Sequence, residues 1–230
     1  MKPILFLGVW FLLTPNLFPA FPYSGALAQD PKELIRMIDQ QQKKIQTMTG
    51  SFVQRKETAL SKDPLVSSGT VQFKRPDRIH WIYQQPHPLE VSLNGRKMRI
   101  YDPRRNQLDE YFLAPGKRIT QAMEPMLQVF QRTFAELGEK YALFYEGAEG
   151  DRRVRFRLEP KEERMRKVFS LLELWIDKAT GAILRFEMTE ANEDRLCLEF
   201  KNLQMNPPLT ENDLEIKVSP STKVTESAGP

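Results

Sequence analysis

The sequence predicts a mainly β fold, an open or partial antiparallel barrel of about eleven strands with helices covering its apolar face. Three observations predict it. Long stretches alternate apolar and polar residues, most clearly Val71, Phe73, Ile79, Trp81 and Tyr83 within Gly69–Pro86, and successive strand side chains point to opposite faces. Turn signals such as Asn94-Gly95 and Asp177-Lys178-Ala179-Thr180-Gly181 join these stretches at hairpin spacing. Two other segments switch to a helical period, with their apolar residues on one stripe. A barrel of this size encloses more volume than its own side chains need fill.

The chain has 230 residues, and its first 28 read as a secretory signal peptide. Met1-Lys2 makes a positive start, Ile4 to Leu13 is an apolar run, and Ala26-Leu27-Ala28 is a small-x-small cleavage site. The run is too short to span a bilayer, and Pro15, Asn16, Pro19 and Pro22 follow it. Cleavage after Ala28 leaves one domain over 29–220. The polar end is predicted to be loose, with a flexible tail over 221–230.

Asp30-Pro31-Lys32-Glu33 is a helix start, with a cap, a proline at the first helical position and an acid in capping-box spacing. Leu34, Met37, Ile38, Ile45 and Met48 fall on one stripe, which predicts a helix running to Gly50. Strands are predicted from Ser51, Leu65, Ile79, Leu89, Lys97 and Gln107, in near-meander order. A second helix is predicted from Ile119 to Leu137, stopping at Gly138, with Pro125 tolerable only in its first turn. Strands resume from Tyr141, Arg152, Phe169, Ile183 and Arg195, and Asp213 to Val218 is a candidate for a last one. The charge-dense segment Lys161 to Lys167 reads as a solvated loop.

One residue breaks the alternation. Arg75 shares the parity of Val71 and Phe73, so its guanidinium belongs on or beside the apolar face. Either it has partners there, since an unpaired buried charge is costly, or it ends its strand beside Pro76 and reaches water.

The composition points away from several chemistries. The formal charge of +4 is small and spread out, and the cluster Arg152, Arg153, Arg155, Arg157 alternates with Val154, Phe156 and Leu158 as a half-buried strand would. Nucleic-acid binding is therefore not expected. The single cysteine, Cys197, makes no internal disulfide and reads as a packed strand residue rather than a nucleophile. His80 and His87 are the only imidazoles, and neither sits in a cluster with metal-ligand spacing. There is no nucleophile elbow, phosphate loop or dinucleotide fingerprint. No metal, cofactor or catalytic residue is expected, although a hydrolase site assembled from distant residues stays open.

The motifs, in order, resemble one family. Thr49-Gly50-Ser51-Phe52-Val53-Gln54 is followed by Gly69 through Lys74-Arg75-Pro76 to Trp81, then Pro86, Asn94-Gly95 and Tyr101-Asp102-Pro103. Their spacing is similar to that of the LolA-like periplasmic lipoprotein carriers, across most of 29–220. The sequence departs from the pattern at Arg99, where many relatives carry an aromatic, and at Leu214-Glu215-Ile216, where phenylalanines are common.

The resemblance implies an unclosed antiparallel half-barrel under a helical lid, in the periplasm, whose hollow holds lipoprotein acyl chains. It implies an inner-membrane lipoprotein-releasing transporter as donor and an outer-membrane acceptor as recipient, and a monomer is expected. A carrier of another lipid or glycolipid, and an envelope-stress regulator of the same fold, stay open. Phe73, Ile79, Trp81, Tyr83, Val91 and Ile100 are predicted to line the sheet side of the hollow. Met123, Met126, Leu127, Phe130 and Phe134 are predicted to line the lid. The arginine matching Arg75 would be a latch bonded to the lid. At about 0.8 kcal/mol per buried methylene, three acyl chains of roughly forty-five methylenes represent on the order of 36 kcal/mol in water. A carrier must cover that surface and still let go.

Overall fold

The computed structural model describes residues 30–114 and 118–227, with side chains except at 118–122 and 227. The predicted signal peptide and its cleavage site lie outside the described residues.

All eleven predicted strands form. They are β1 (Thr47–Glu57), β2 (Leu65–Lys74), β3 (Arg78–Gln85), β4 (Leu89–Asn94), β5 (Lys97–Asp102) and β6 (Gln107–Phe112), then β7 (Tyr141–Glu149), β8 (Arg153–Pro160), β9 (Phe169–Asp177), β10 (Ile183–Glu190) and β11 (Arg195–Met205). A twelfth, β12 (Lys223–Ser227), joins them in one unclosed sheet of order β12-β6-β5-β4-β3-β2-β1-β11-β10-β9-β8-β7. Each neighbouring pair is antiparallel except β12 with β6, which is parallel. The closing step of the topology is β1 beside β11, with Phe52 opposite Phe200.

One face of this sheet carries the core. Phe52, Val71, Ile79, Leu93, Phe156, Leu174, Phe186 and Leu198 are buried on it. Leu34 and Ile38 pack there from α1 (Pro31–Gln42), and Phe134 and Leu137 from α3 (Phe134–Lys140). In the chain, α2 (Arg118–Gln131) precedes α3. Helices covering the apolar face are what the alternation demanded. No helix among the described residues is long and apolar enough to cross a membrane.

Several expectations are corrected. The first helix ends at Gln42, not at Gly50, and Met48 is buried as a strand residue. The reason is tertiary. Asn206 takes the Gln46 N–H at 2.7 Å and gives its amide to Lys44 O at 3.1 Å, turning the chain into β1. The predicted helix from Ile119 to Leu137 is two helices. Thr133 breaks it by capping α3 in a reciprocal box with Glu136. Pro125 lies inside α2 rather than in its first turn.

The charged segment after β8 contains a short helix, α4 (Glu163–Arg166), because Met165 is buried beneath it. Asp213 to Val218 is not a strand. It begins inside a 3-10 turn at Glu211–Leu214 and crosses the outer face of the sheet, with Asp213 O 3.4 Å from His80 Nδ1. Lys74 donates to Leu209 O at 3.1 Å, while Lys74 and Arg78 both pair with Glu211. Leu214 and Ile216 are buried there, as is Leu108 of β6, outside the main core. The tail predicted to be loose instead forms β12 along β6, held at its start by Thr222 Oγ1 donating to Asn106 Oδ1 at 2.7 Å. An edge strand with free backbone groups recruits such a partner.

Candidate functional site

Beneath α2 the core is not filled. A cavity of about 270 Å³ remains between the sheet and the helix. Its sheet wall is built by alternation: Trp81 and Tyr83 from β3, Val91 from β4, Met98 and Ile100 from β5, all on one face of the ladder. Phe186 and Met188 from β10, with Leu196 and Leu198 from β11, close the other side. Met123 and Met126 form the roof. Their unbranched, polarizable side chains adapt to neighbours of variable shape.

Among the described residues the wall contains no charged one. Its polar groups are the Trp81 indole and the pair Tyr83–Gln54, in which the phenol donates to Gln54 Oε1 at 3.0 Å. Burial pushes the Tyr83 phenol up to about 12, since a dry wall disfavours the phenolate.

The structure places six of the eleven predicted lining residues in this wall: Trp81, Tyr83, Val91, Ile100, Met123 and Met126. The other five pack elsewhere. Ile79 is buried in the core and Leu127 packs against it. Phe134 is fully buried against Phe156, with ring centroids 4.8 Å apart. Phe73 and Phe130 border a narrow crevice of about 40 Å³ beside Arg75. An aromatic chain separates crevice from cavity. The Phe130 ring meets Trp81 edge-on at 5.9 Å and Phe200 at 5.5 Å. Gln54, Met98 and the four residues of β10 and β11 were not anticipated as lining, although the alternation of Phe186, Met188, Leu196 and Leu198 carried the signal.

Arg75 sits at the other end of the sheet face, and its partners settle the choice the sequence left open. Nε donates to Ile45 O at 2.8 Å, Nη2 to Gln42 O at 3.1 Å and Nη1 to Gln131 O at 3.3 Å. These carbonyls belong to the end of α1, the turn after it and the last residue of α2. Helix C-termini present unpaired carbonyls and a negative dipole end, a natural seat for a guanidinium. The Arg75 Cζ lies 5.9 Å from the Phe73 ring centre. Burial lowers the Arg75 pKa, with Glu136 acting in the opposite sense; the group remains a cation at any physiological pH.

A second anchor was not visible in the sequence. Asp39 is buried on α1, and its carboxylate accepts Phe134 N–H at 2.6 Å and Ala135 N–H at 3.1 Å, the first turn of α3. Arg75 thus holds the end of α2 and Asp39 the start of α3, on either side of the break at Thr133. α2 has its own tie to β7, because Tyr141 Oη donates to Gln128 Oε1 at 3.0 Å and Gln128 donates to Glu124 at 2.7 Å.

A different hollow, about 280 Å³, lies along β1, β10 and β11. Arg55, Arg185, Arg195, Glu57, Glu187 and Glu199 line it with Cys197. Such a charged wall cannot hold hydrocarbon without leaving ions desolvated. The apolar cavity is therefore the candidate site.

Comparisons with known proteins agree with this geometry. An outer-membrane lipoprotein carrier protein of Pseudomonas paraeruginosa is 26% identical over 183 residues, covering 80% of this chain and 83% of the relative. One from Francisella tularensis is 33% identical over 88 residues, covering 38% and 41%. The fold is similar to a crystal structure of an uncharacterized conserved protein from Thermus thermophilus, with a TM-score of 0.53 and 13% identity over 85% of this chain and 98% of that one. The family model for the outer membrane lipoprotein carrier protein LolA matches residues 43–217. With an unclosed sheet, a helical cover and an apolar hollow between them, the chain belongs to the LolA family.

Proposed function

We propose that this chain is a soluble periplasmic carrier that takes the acyl chains of lipoproteins into the cavity under α2. It would receive them from an inner-membrane releasing transporter and pass them to an outer-membrane acceptor. The observation that carries the reading is the cavity roofed by Met123 and Met126, whose described lining has no charged residue.

The volume bears on mechanism. At about 270 Å³ the cavity falls just below the roughly 300–1,000 Å³ typical of small-molecule pockets. It accommodates part of an acyl chain, so a full load requires α2 to move away from the sheet. Arg75 opposes that movement by holding Gln131 O. That one hydrogen bond to α2, about 1.5–3 kcal/mol for a charged donor, helps to hold an empty lid. It is also weak enough to yield to a chain worth ~0.8 kcal/mol per buried methylene.

The test is mass spectrometry of the protein purified from its native envelope, followed by transfer of a triacylated lipoprotein to acceptor membranes. Co-purified acyl lipid and transfer that depends on the protein are expected. Protein free of acyl lipid that leaves lipoprotein in the donor membrane would overturn the reading.

A further inference from the structure

The cavity wall holds one group that a container for hydrocarbon does not need. Among the described residues, only one of the buried side-chain polar atoms without a hydrogen-bond partner belongs to this wall, Trp81 Nε1. Buried indole N–H groups usually find an acceptor, and an orphaned one destabilises the fold. The same chain shows the ordinary solution twice. Trp175 gives its Nε1–H to Glu149 at 2.8 Å, and Tyr83, two residues along the strand, gives its hydroxyl to Gln54. The Trp81 residue is 5% exposed and its ring stands edge-on to Phe52 and Phe130, with Nε1 shielded from water.

Resting on the carrier reading, we propose that Trp81 Nε1 donates a hydrogen bond to a neutral acyl carbonyl of the cargo, an ester or amide oxygen. The cavity then holds the carbonyl end of a chain rather than an arbitrary stretch of methylenes. The described residues of the wall include no charged one, and this decides the class of acceptor. A carboxylate or phosphate there would be buried without a counter-ion, which is far more costly than burying a carbonyl. A saturated hydrocarbon offers no acceptor at all. Esters of this kind occur both in the acyl-glyceryl group of a lipoprotein and in a phospholipid, and both present the same oxygen.

The experiment compares dipalmitoyl phosphatidylglycerol with its dihexadecyl ether twin, which lacks only the carbonyls, and adds a tripalmitoylated cysteinyl peptide. Binding to the full chain and to Trp81→Phe is read by displacement of a fluorescent acyl probe. The wild type is expected to favour ester over ether about tenfold, the worth of one buried hydrogen bond, and Trp81→Phe to lose that preference. In parallel, the Trp81 indole N–H resonance, assigned through Trp175→Phe, should move downfield with ester and not with ether. This reads the bond without altering the wall. Movement with peptide, phospholipid or both supports the inference and identifies the source of the ester. Equal affinity for ester and ether in the wild type, with an unmoved indole resonance, overturns the inference and leaves the carrier reading standing. If neither phospholipid nor peptide binds, both fall together.

Discussion

Asp39 on α1 and Phe134 at the start of α3 are 95 positions apart, and the carboxylate Oδ1 of one accepts the backbone N–H of the other at 2.6 Å. One helix thereby supplies the cap of another. With Arg75 bonded to Gln131 O, the junction between α2 and α3 is fixed on both sides. Asp39 joins α1 to α3, while α2 is held at its end by Arg75 and along its length by the Tyr141–Gln128 bond.

Replacing Asp39 by Ala should leave the buried Phe134 N–H and the more exposed Ala135 N–H of α3 without an acceptor. The expected loss is about 1–3 kcal/mol per orphaned group at most, with Asp39→Asn losing less because one carbonyl oxygen remains. Urea denaturation measures the loss, and hydrogen exchange at Phe134 and Ala135 locates it. Unchanged exchange there would show that the cap does not hold α3.

Arg75→Leu should fold and yet behave differently as a carrier. Three carbonyls at helix ends lose their donor but stand beside a crevice that water can reach. Faster uptake of a fluorescent acyl probe and altered transfer to an acceptor are expected, and Arg75→Lys should sit between, since a point charge cannot serve three acceptors in a fork. Transfer and uptake rates equal to wild type would remove the latch.

Gly69 faces the aromatic pair Phe52 and Tyr83, whose rings meet edge-on at 5.0 Å. A Cβ at that position would lie 1.9 Å from Ile82 O, a backbone atom with no freedom to retreat. Gly69→Ala should therefore cost on the order of 3 kcal/mol or more, as overpacking against a fixed wall does. A thermal midpoint within a degree of wild type would contradict that close approach.

Burial raises the Cys197 thiol from its ordinary 9.0 to about 11, with Arg185 acting the other way and Glu187 and Glu199 adding to the rise. The native protein should alkylate slowly near pH 8 and accelerate as the pH approaches about 11, whereas the denatured chain should react at its ordinary range. The same shift has a stability consequence. The unfolded chain releases this proton first, so the contribution is complete below pH 9 and is lost as pH rises through about 11. Rapid iodoacetamide labelling of folded protein at neutral pH would contradict the burial.

Ending the chain after Val218 should uncover the β6 edge and the outer-face site of Leu108. Light scattering should show self-association through the bared strand, with a lower thermal midpoint. A monomer of unchanged stability would mean that β12 is dispensable.

The sequence by itself determined the strands, because alternation has a period of two and shows in any buried-on-one-face strand, from Val71 and Phe73 to Leu196 and Leu198. It also determined that Arg75 was anomalous, since parity alone placed a cation beside apolar neighbours. It did not determine its partners. The carbonyls of Gln42, Ile45 and Gln131 come from three separate places, and only the packed fold brings helix ends to one guanidinium. For the same reason Ile79, Leu127 and Phe134 could not be told from cavity lining. An apolar residue on the inner face becomes wall or core according to how far the covering helix stands from the sheet. The bonds that hold the cover, from Asp39, Arg75 and Tyr141, join residues far apart in the chain and leave no local signature in it.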